Sequence, residues 1–185
     1  MPVNTPTPTK AAILWTDLML VAFLIGLDVV ARLLPHAPGF MPIAASALFA
    51  GRMLRIPALA LVVPIAAMGL SALALGPDDW RISLIVTLAI SLPAVAGMLS
   101  RRFSGIAATV AVMVPCSLTF FAISNFAVWA FSGIYSLDLQ GLTQCYIAAL
   151  PFLQNTVAGD LFWAAVLFGG AWAIQNGAAL AGRAH

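Results

Sequence analysis

The chain has 185 residues, 63% of them hydrophobic and only 8% charged, with a net charge of +2 and a mean hydropathy of +1.05. A water-soluble domain carries about 25% charged and roughly 45–50% apolar residues, so an ordinary soluble fold is excluded. The eight basic residues, one Lys and seven Arg, are scattered between apolar runs rather than gathered on a face, which argues against nucleic-acid binding.

An apolar crossing takes about 20 residues, and punctuation rich in Pro, Gly and charge divides this chain into six runs. The expected fold is all-α: one integral membrane bundle of six transmembrane helices over 1–185, with a short second helix. The N-terminal MPVNTPTPTK is polar, and no small-residue cleavage site follows it, so the first run, 11–34, reads as a retained helix. It carries Asp17, Asp28 and Arg32, which need reasons to stand in hydrocarbon. Asp28 and Arg32 are four apart, the spacing of an ion pair near the outer interface; Asp17 and Asp28 fall on nearly one face, which leaves ion or substrate handling open. Ala22 and Gly26 have the small-xxx-small spacing of close helix packing, either within the bundle or against a separate transmembrane protein partner.

His36 follows in a Pro-flanked loop, as a ligand contact or as the group that holds the turn. The second run, 41–54, is short for a crossing and repeats the small-residue spacing at Ala47 and Gly51. The third, fourth and fifth runs cover 56–75, 82–99 and 105–129. An outer, non-spanning region over 130–156 carries Asp138 and several amides, and the last crossing is 157–178, with Asp160 read as a first-turn acid. With the N-terminus inside, Lys10, Arg52, Arg55, Arg101, Arg102 and Arg183 share one side and Arg32 and Arg81 the other, which places both termini in the cytoplasm. Asp78, Asp79 and Asp138 then lie outside.

Phe40, Asn125, Trp129, Tyr135, Cys145, Tyr146 and Asn155 fall with His36 on that outer side. Rings and amides there serve as an interfacial belt or line a pocket, and a pocket of that kind suits a flat or amphipathic organic ligand better than a bare ion. Cys116 reads as a packed apolar residue. No second His stands within ligand spacing of His36, His185 being at the far terminus, so no protein-only metal site and no cofactor is expected. No hydrolase, Walker or dinucleotide-binding motif is present, and an enzyme is not expected.

Two blocks of sequence carry a resemblance. The run from Arg32 through Pro35-His36-Ala37-Pro38-Gly39-Phe40-Met41-Pro42-Ile43 to Ala47-Leu48-Phe49-Ala50-Gly51 resembles the R-x-x-PHxPNFxPI…ALFxG signature of a family of small bacterial membrane proteins of unknown function. Phe120-Phe121-Ala122-Ile123-Ser124-Asn125-Phe126-Ala127-Val128-Trp129, with Gly141-Leu142, Cys145-Tyr146 and Pro151-Phe152 beyond, resembles that family's second block. Gly39 replaces the usual Asn, and Ser71 lacks the Asp that commonly follows it. The resemblance implies a bacterial cytoplasmic membrane. More distantly, the layout is similar to the S components of energy-coupling factor (ECF) vitamin transporters, which capture a vitamin outside and dock on a partner through small residues of the first helix, here Ala22 and Gly26.

The leading expectation is therefore an S-component-like uptake protein for a small organic nutrient. Cobalamin stands among the candidates because His36 or Cys145 would suit its cobalt. The competing expectation is a non-catalytic structural or assembly subunit of a larger membrane complex. A proton- or ion-handling role built on Asp17 and Asp28 is the third.

Overall fold

The computed structural model describes residues 9–76 and 79–181, with side chains to 177; Asp78, Arg183 and His185 lie outside the described residues. Those described form six helices: α1 (Lys10–Leu33), α2 (Ile43–Met53), α3 (Leu59–Leu75), α4 (Trp80–Leu99), α5 (Ile106–Phe131) and α6 (Leu139–Ala181). Four of them, α1, α4, α5 and α6, are long and apolar enough to cross a membrane. At about 1.5 Å per residue, the 11 residues of α2 cover roughly 16 Å, half of a hydrocarbon core, so the second expected crossing does not span by itself.

The short helix is the centre of the bundle. Its sequence, IAASALFAGRM, is mostly small, which lets neighbouring backbones come close, and residues Ile43 to Gly51 are all buried. It touches each of the other five helices, while α1, α3, α4, α5 and α6 pack in that order around it and α1 does not reach α6. Successive helices alternate in direction. Asp28 bonds Ser46 and Asp17 bonds the Ile56 amide, so α1 and α2 run antiparallel; Arg52 meets Thr109 near one end, and Ser117 meets Asp160 further along α5 and α6. The first turn of α1 and the last of α6 therefore share the end that carries Arg52 and Arg101.

Arg101 holds that end by donating from Nε to the Gly51 carbonyl (2.7 Å) and from Nη2 to the Leu54 carbonyl (2.8 Å), two acceptors that the terminus of α2 leaves open. Arg52 ties α4 to α5 through Ser100 Oγ (3.0 Å) and Thr109 Oγ1 (2.8 Å). At the opposite end Asp79 caps α4, accepting from the Arg81 amide and pairing with the Arg81 guanidinium at 2.8 Å, and that guanidinium lies over the Phe131 ring of α5. These bonds, the Arg81 side chain's first, draw the Asp79 carboxyl from its ordinary 3.8 down to about 2. A carboxyl depressed in the folded state contributes above its unfolded value and stops contributing as pH falls through the folded one. The stability difference between the natural chain and Asp79→Asn should thus be constant above about pH 4 and close between about pH 4 and 2. A difference in unfolding temperature that persists unchanged at pH 2 would refute this.

The expected non-spanning stretch over 130–156 is a correction. Only 132–138 leaves the helix; residues 139–156 are continuous with the last crossing, and α6 is 43 residues long. Asp138 Oδ1 accepts from the Gly141 amide at 2.7 Å and from Ser136 Oγ, an N-cap that starts the helix. Gly141, Cys145 and Ala149, buried and four apart, then form one narrow face, while Gln140, Gln144 and Gln154 are exposed. Pro151 lies inside the helix, as Pro64, Pro93 and Pro115 lie inside α3, α4 and α5.

Candidate functional site

The charged residues of α1 have separate tasks. Asp17, 4% exposed, accepts from the Ile56 amide at 2.8 Å and so serves the turn between α2 and α3. Asp28, fully buried, accepts from Ser46 Oγ at 2.8 Å through Oδ1, and its Oδ2 has no hydrogen-bond partner among the described residues. The ion pair expected between Asp28 and Arg32 does not form, because the carboxylate turns inward to α2 while Arg32 reaches α3 and donates from Nη1 to Met68 Sδ at 3.0 Å.

Arg32 and Met68 border two cavities. The wider, a cleft of about 530 Å³, runs between α3 and α4 at the end opposite Arg101; Ser83 and Thr87 give it hydroxyls, and Gly69, Ala72 and Leu84 apolar wall. The smaller, of about 60 Å³, lies toward α5 and α6, where Thr156 and Asp160 face Ile90 and Phe120. A cavity needs only about 10–15 Å³ to hold a water, so the smaller cavity is large enough for one or more. Asp160, expected at a helix start, instead stands in the interior of α6, 3% exposed, 2.5 Å from Ser117 Oγ on α5.

The residues expected to line a ligand pocket do not converge on either cavity. His36 is exposed, with Nδ1 3.0 Å from the Ala37 carbonyl. Phe40 packs its backbone on Gly159 and its ring on Phe162, 5.4 Å between centroids. Its neighbour Gly39 has φ +84°, which both glycine and asparagine tolerate, but a Cβ there would come within 2.6 Å of Thr156 Oγ1, which accounts for glycine at this position. Asn125 donates to the Phe121 carbonyl of its own helix, and Trp129 Nε1 donates to the Ser136 carbonyl. Cys145, 2% exposed, faces the Asn125 carbonyl, and the Tyr146 hydroxyl donates to the Ala122 carbonyl at 2.6 Å. Tyr135 and Asn155 are half-buried elsewhere on the α5/α6 hairpin. Of these groups, Cys145 and Tyr146 tie α6 to α5.

The small-residue pairs also divide. Ala47 and Gly51 are buried, and Gly51 meets Gly97 of α4 so closely that a Cβ on Gly97 would lie 2.5 Å from the Leu48 carbonyl. Ala22 and Gly26 are exposed, with open space where a Gly26 Cβ would stand. Sequence reasoning missed Met68, Ser83 and Thr87: each is an ordinary residue of an apolar helix until the bundle brings it to Arg32. Asp160 carried a signal, a carboxylate within an apolar run, that only a continuous α6 makes legible.

A family model described as a family of unknown function matches residues 13–181. No curated protein and no solved structure matches the chain.

Proposed function

The chain belongs to DUF6580, a family of unknown function, and on that premise we propose that it is a membrane-embedded binding and uptake protein for a small organic nutrient. The observation that carries this reading is the cleft at Arg32. Its volume of about 530 Å³ falls within the roughly 300–1,000 Å³ of small-molecule sites, and its wall is mostly apolar with one guanidinium and two hydroxyls. Such a lining takes a compact, partly apolar solute that presents a carboxylate or similar acceptor to Arg32. A corrinoid is too large for it, and neither His36 nor Cys145 opens into it, so cobalamin is no longer favoured. Lys10, Arg52, Arg55, Arg101 and Arg102 gather toward the other end, which supports a cytoplasmic position for that end and an outward-facing cleft in a bacterial inner membrane. An S-component-like role fits this orientation.

A structural or assembly role is favoured by a different observation. Trp15, Met19, Phe23 and Val30 are exposed together with Ala22 and Gly26 along α1, a face open to lipid or to a transmembrane partner.

The test is thermal stabilisation of the purified chain across a panel of vitamins and organic acids, with native mass spectrometry of what co-purifies. Gly69→Phe places a ring in the cleft from a position with nothing within 4 Å of an added Cβ. It should weaken binding of any stabilising compound at least about tenfold, near 1.4 kcal/mol, while leaving the unfolding temperature of the free protein unchanged. Unchanged binding would move the site elsewhere, and phospholipid as the sole co-purifying species would make the cleft a lipid groove.

A further inference from the structure

Ser117 has one hydroxyl hydrogen and two oxygens within its reach, the Met113 carbonyl at 3.0 Å and Asp160 Oδ2 at 2.5 Å. One hydrogen fills only one of these contacts. With that hydrogen on Met113, the contact to Asp160 contains a hydrogen only if Asp160 supplies it, as a neutral carboxylic acid donating to Ser117 Oγ. The surroundings favour this arrangement. Asp160 is 3% exposed, and no Lys or Arg nitrogen lies within ion-pair distance of it among the described residues, so an ionised carboxylate would be desolvated with no counter-charge in contact.

We propose that Asp160 is a proton-binding site, a carboxylic acid that holds its proton against Ser117 and exchanges it with water in the small cavity it lines. Asp28 supplies the contrast: it too is buried and bonded to a serine, but it borders neither of these two cavities. On release the Asp160 O–H bond breaks, the proton passes to a cavity water, and the Ser117 hydroxyl turns from Met113 to donate to the carboxylate left behind. The groups around this carboxyl are few. On α5 they are Ser117 and the Cys116 thiol, and from α1 Arg32 faces it across the cavity; α2, α3 and α4 present Ile43, Ala44, Met68, Val86 and Ile90, none of which titrates. His36, in the loop packed on α6, is exposed and turned to its neighbour's carbonyl.

Resting on the reading of the cleft as a solute site, the proton site fixes the sign of a coupling. Arg32 borders both spaces, so an ionised Asp160 and a carboxylate in the cleft stand close to one another as like charges and repel. A carboxylate solute binds more tightly when Asp160 carries its proton, and affinity falls as pH rises. Coupling between sites of this kind is about 5–150-fold in affinity.

The experiment is infrared spectroscopy of the purified full chain in detergent, in water and in deuterium oxide, from mildly acidic to mildly alkaline pH. The natural chain should show a protonated-carboxyl band that shifts in deuterium oxide, disappears at high pH and is absent from Asp160→Asn, while a band assigned by Asp28→Asn stays constant. Ser117→Ala, which keeps the acid and removes its bond, should shift the band without deleting it and so serves if Asp160→Asn does not fold. A spectrum with no pH-dependent band traceable to Asp160 overturns the proposal. Benzoate, one carboxylate on an apolar ring, is the probe of coupling: its affinity should fall at least about fivefold over the same pH range in the natural chain and stay level in Asp160→Asn. The band without benzoate binding tells against the solute reading alone. Benzoate binding with no such band tells against the proton site alone, and binding that is level in the natural chain overturns the coupling.

Discussion

Gly97→Leu is expected to abolish folding of the bundle, and Gly97→Ala to destabilise it by about 3 kcal/mol, the upper part of the range for overpacking. The cause is backbone against backbone. A Cβ on Gly97 would meet the Leu48 carbonyl at 2.5 Å and Gly51 Cα at 3.0 Å, and neither atom belongs to a side chain able to rotate away. Relief requires α2 to move, yet α2 touches all five other helices, so a displacement at one crossing opens gaps at the rest. Gly26→Ala is the matched control. It adds the same atom where nothing lies within 4 Å, and replaces glycine by a better helix former. Unfolding temperatures and folded yields in detergent separate the two: equal effects would mean that the α2/α4 crossing is not as close as described.

Arg101→Ala should cost about 3 kcal/mol or more, while the same change at Arg102 stays within about 0.5 kcal/mol. Arg101 is the sole side chain among the described residues that donates to the Gly51 and Leu54 carbonyls, and a hydrogen bond from a charged donor contributes about 1.5–3 kcal/mol. Truncation leaves two acceptors at the end of the most buried helix without that fork. Both arginines are exposed, but Arg102 rests over Phe103, its neighbour in sequence, rather than on the end of α2. Arg101→Lys tests the geometry, since one ammonium does not reproduce a planar fork and should recover about half of the loss. The measurement is chemical or thermal unfolding of the four proteins side by side.

These two adjacent arginines show where reading the chain stops. Both sit in the same punctuation, and the count of basic residues on alternate sides uses them identically. What distinguishes them is the position of the end of α2, nearly fifty residues earlier in the chain. The same holds for the small-residue pairs: Ala22/Gly26 and Ala47/Gly51 have the same spacing, and only the bundle decides that one pair meets α4 while the other faces outward.

The candidate site was less legible than the fold, for a chemical reason. Aromatic and amide residues advertise binding when a sequence is scanned, and here Asn125, Trp129 and Tyr146 spend their polar groups on backbone carbonyls of the α5/α6 hairpin. The residues that do surround a cavity are mostly Met, Gly, Ala, Ser and Thr, whose chemistry depends on what stands opposite. The helix from 139 to 156 was hidden by its amides and Pro151, although the Asp138 cap and the four-residue spacing of Gly141, Cys145 and Ala149 are both written in the chain.

The sequence by itself determined that this is an all-helical protein built for an apolar surrounding, because hydrophobic content, charge scarcity and the lengths of apolar runs are local quantities that no packing alters. It determined most helix boundaries as well, since Pro, Gly and capping side chains act on their own neighbours. Only the tertiary structure decided that the shortest run is the hub, that α6 runs unbroken through Pro151, and that Arg32 and Asp160 border one cavity. Those outcomes depend on contacts between residues tens to more than a hundred positions apart, where the space left by one helix sets what another is able to do.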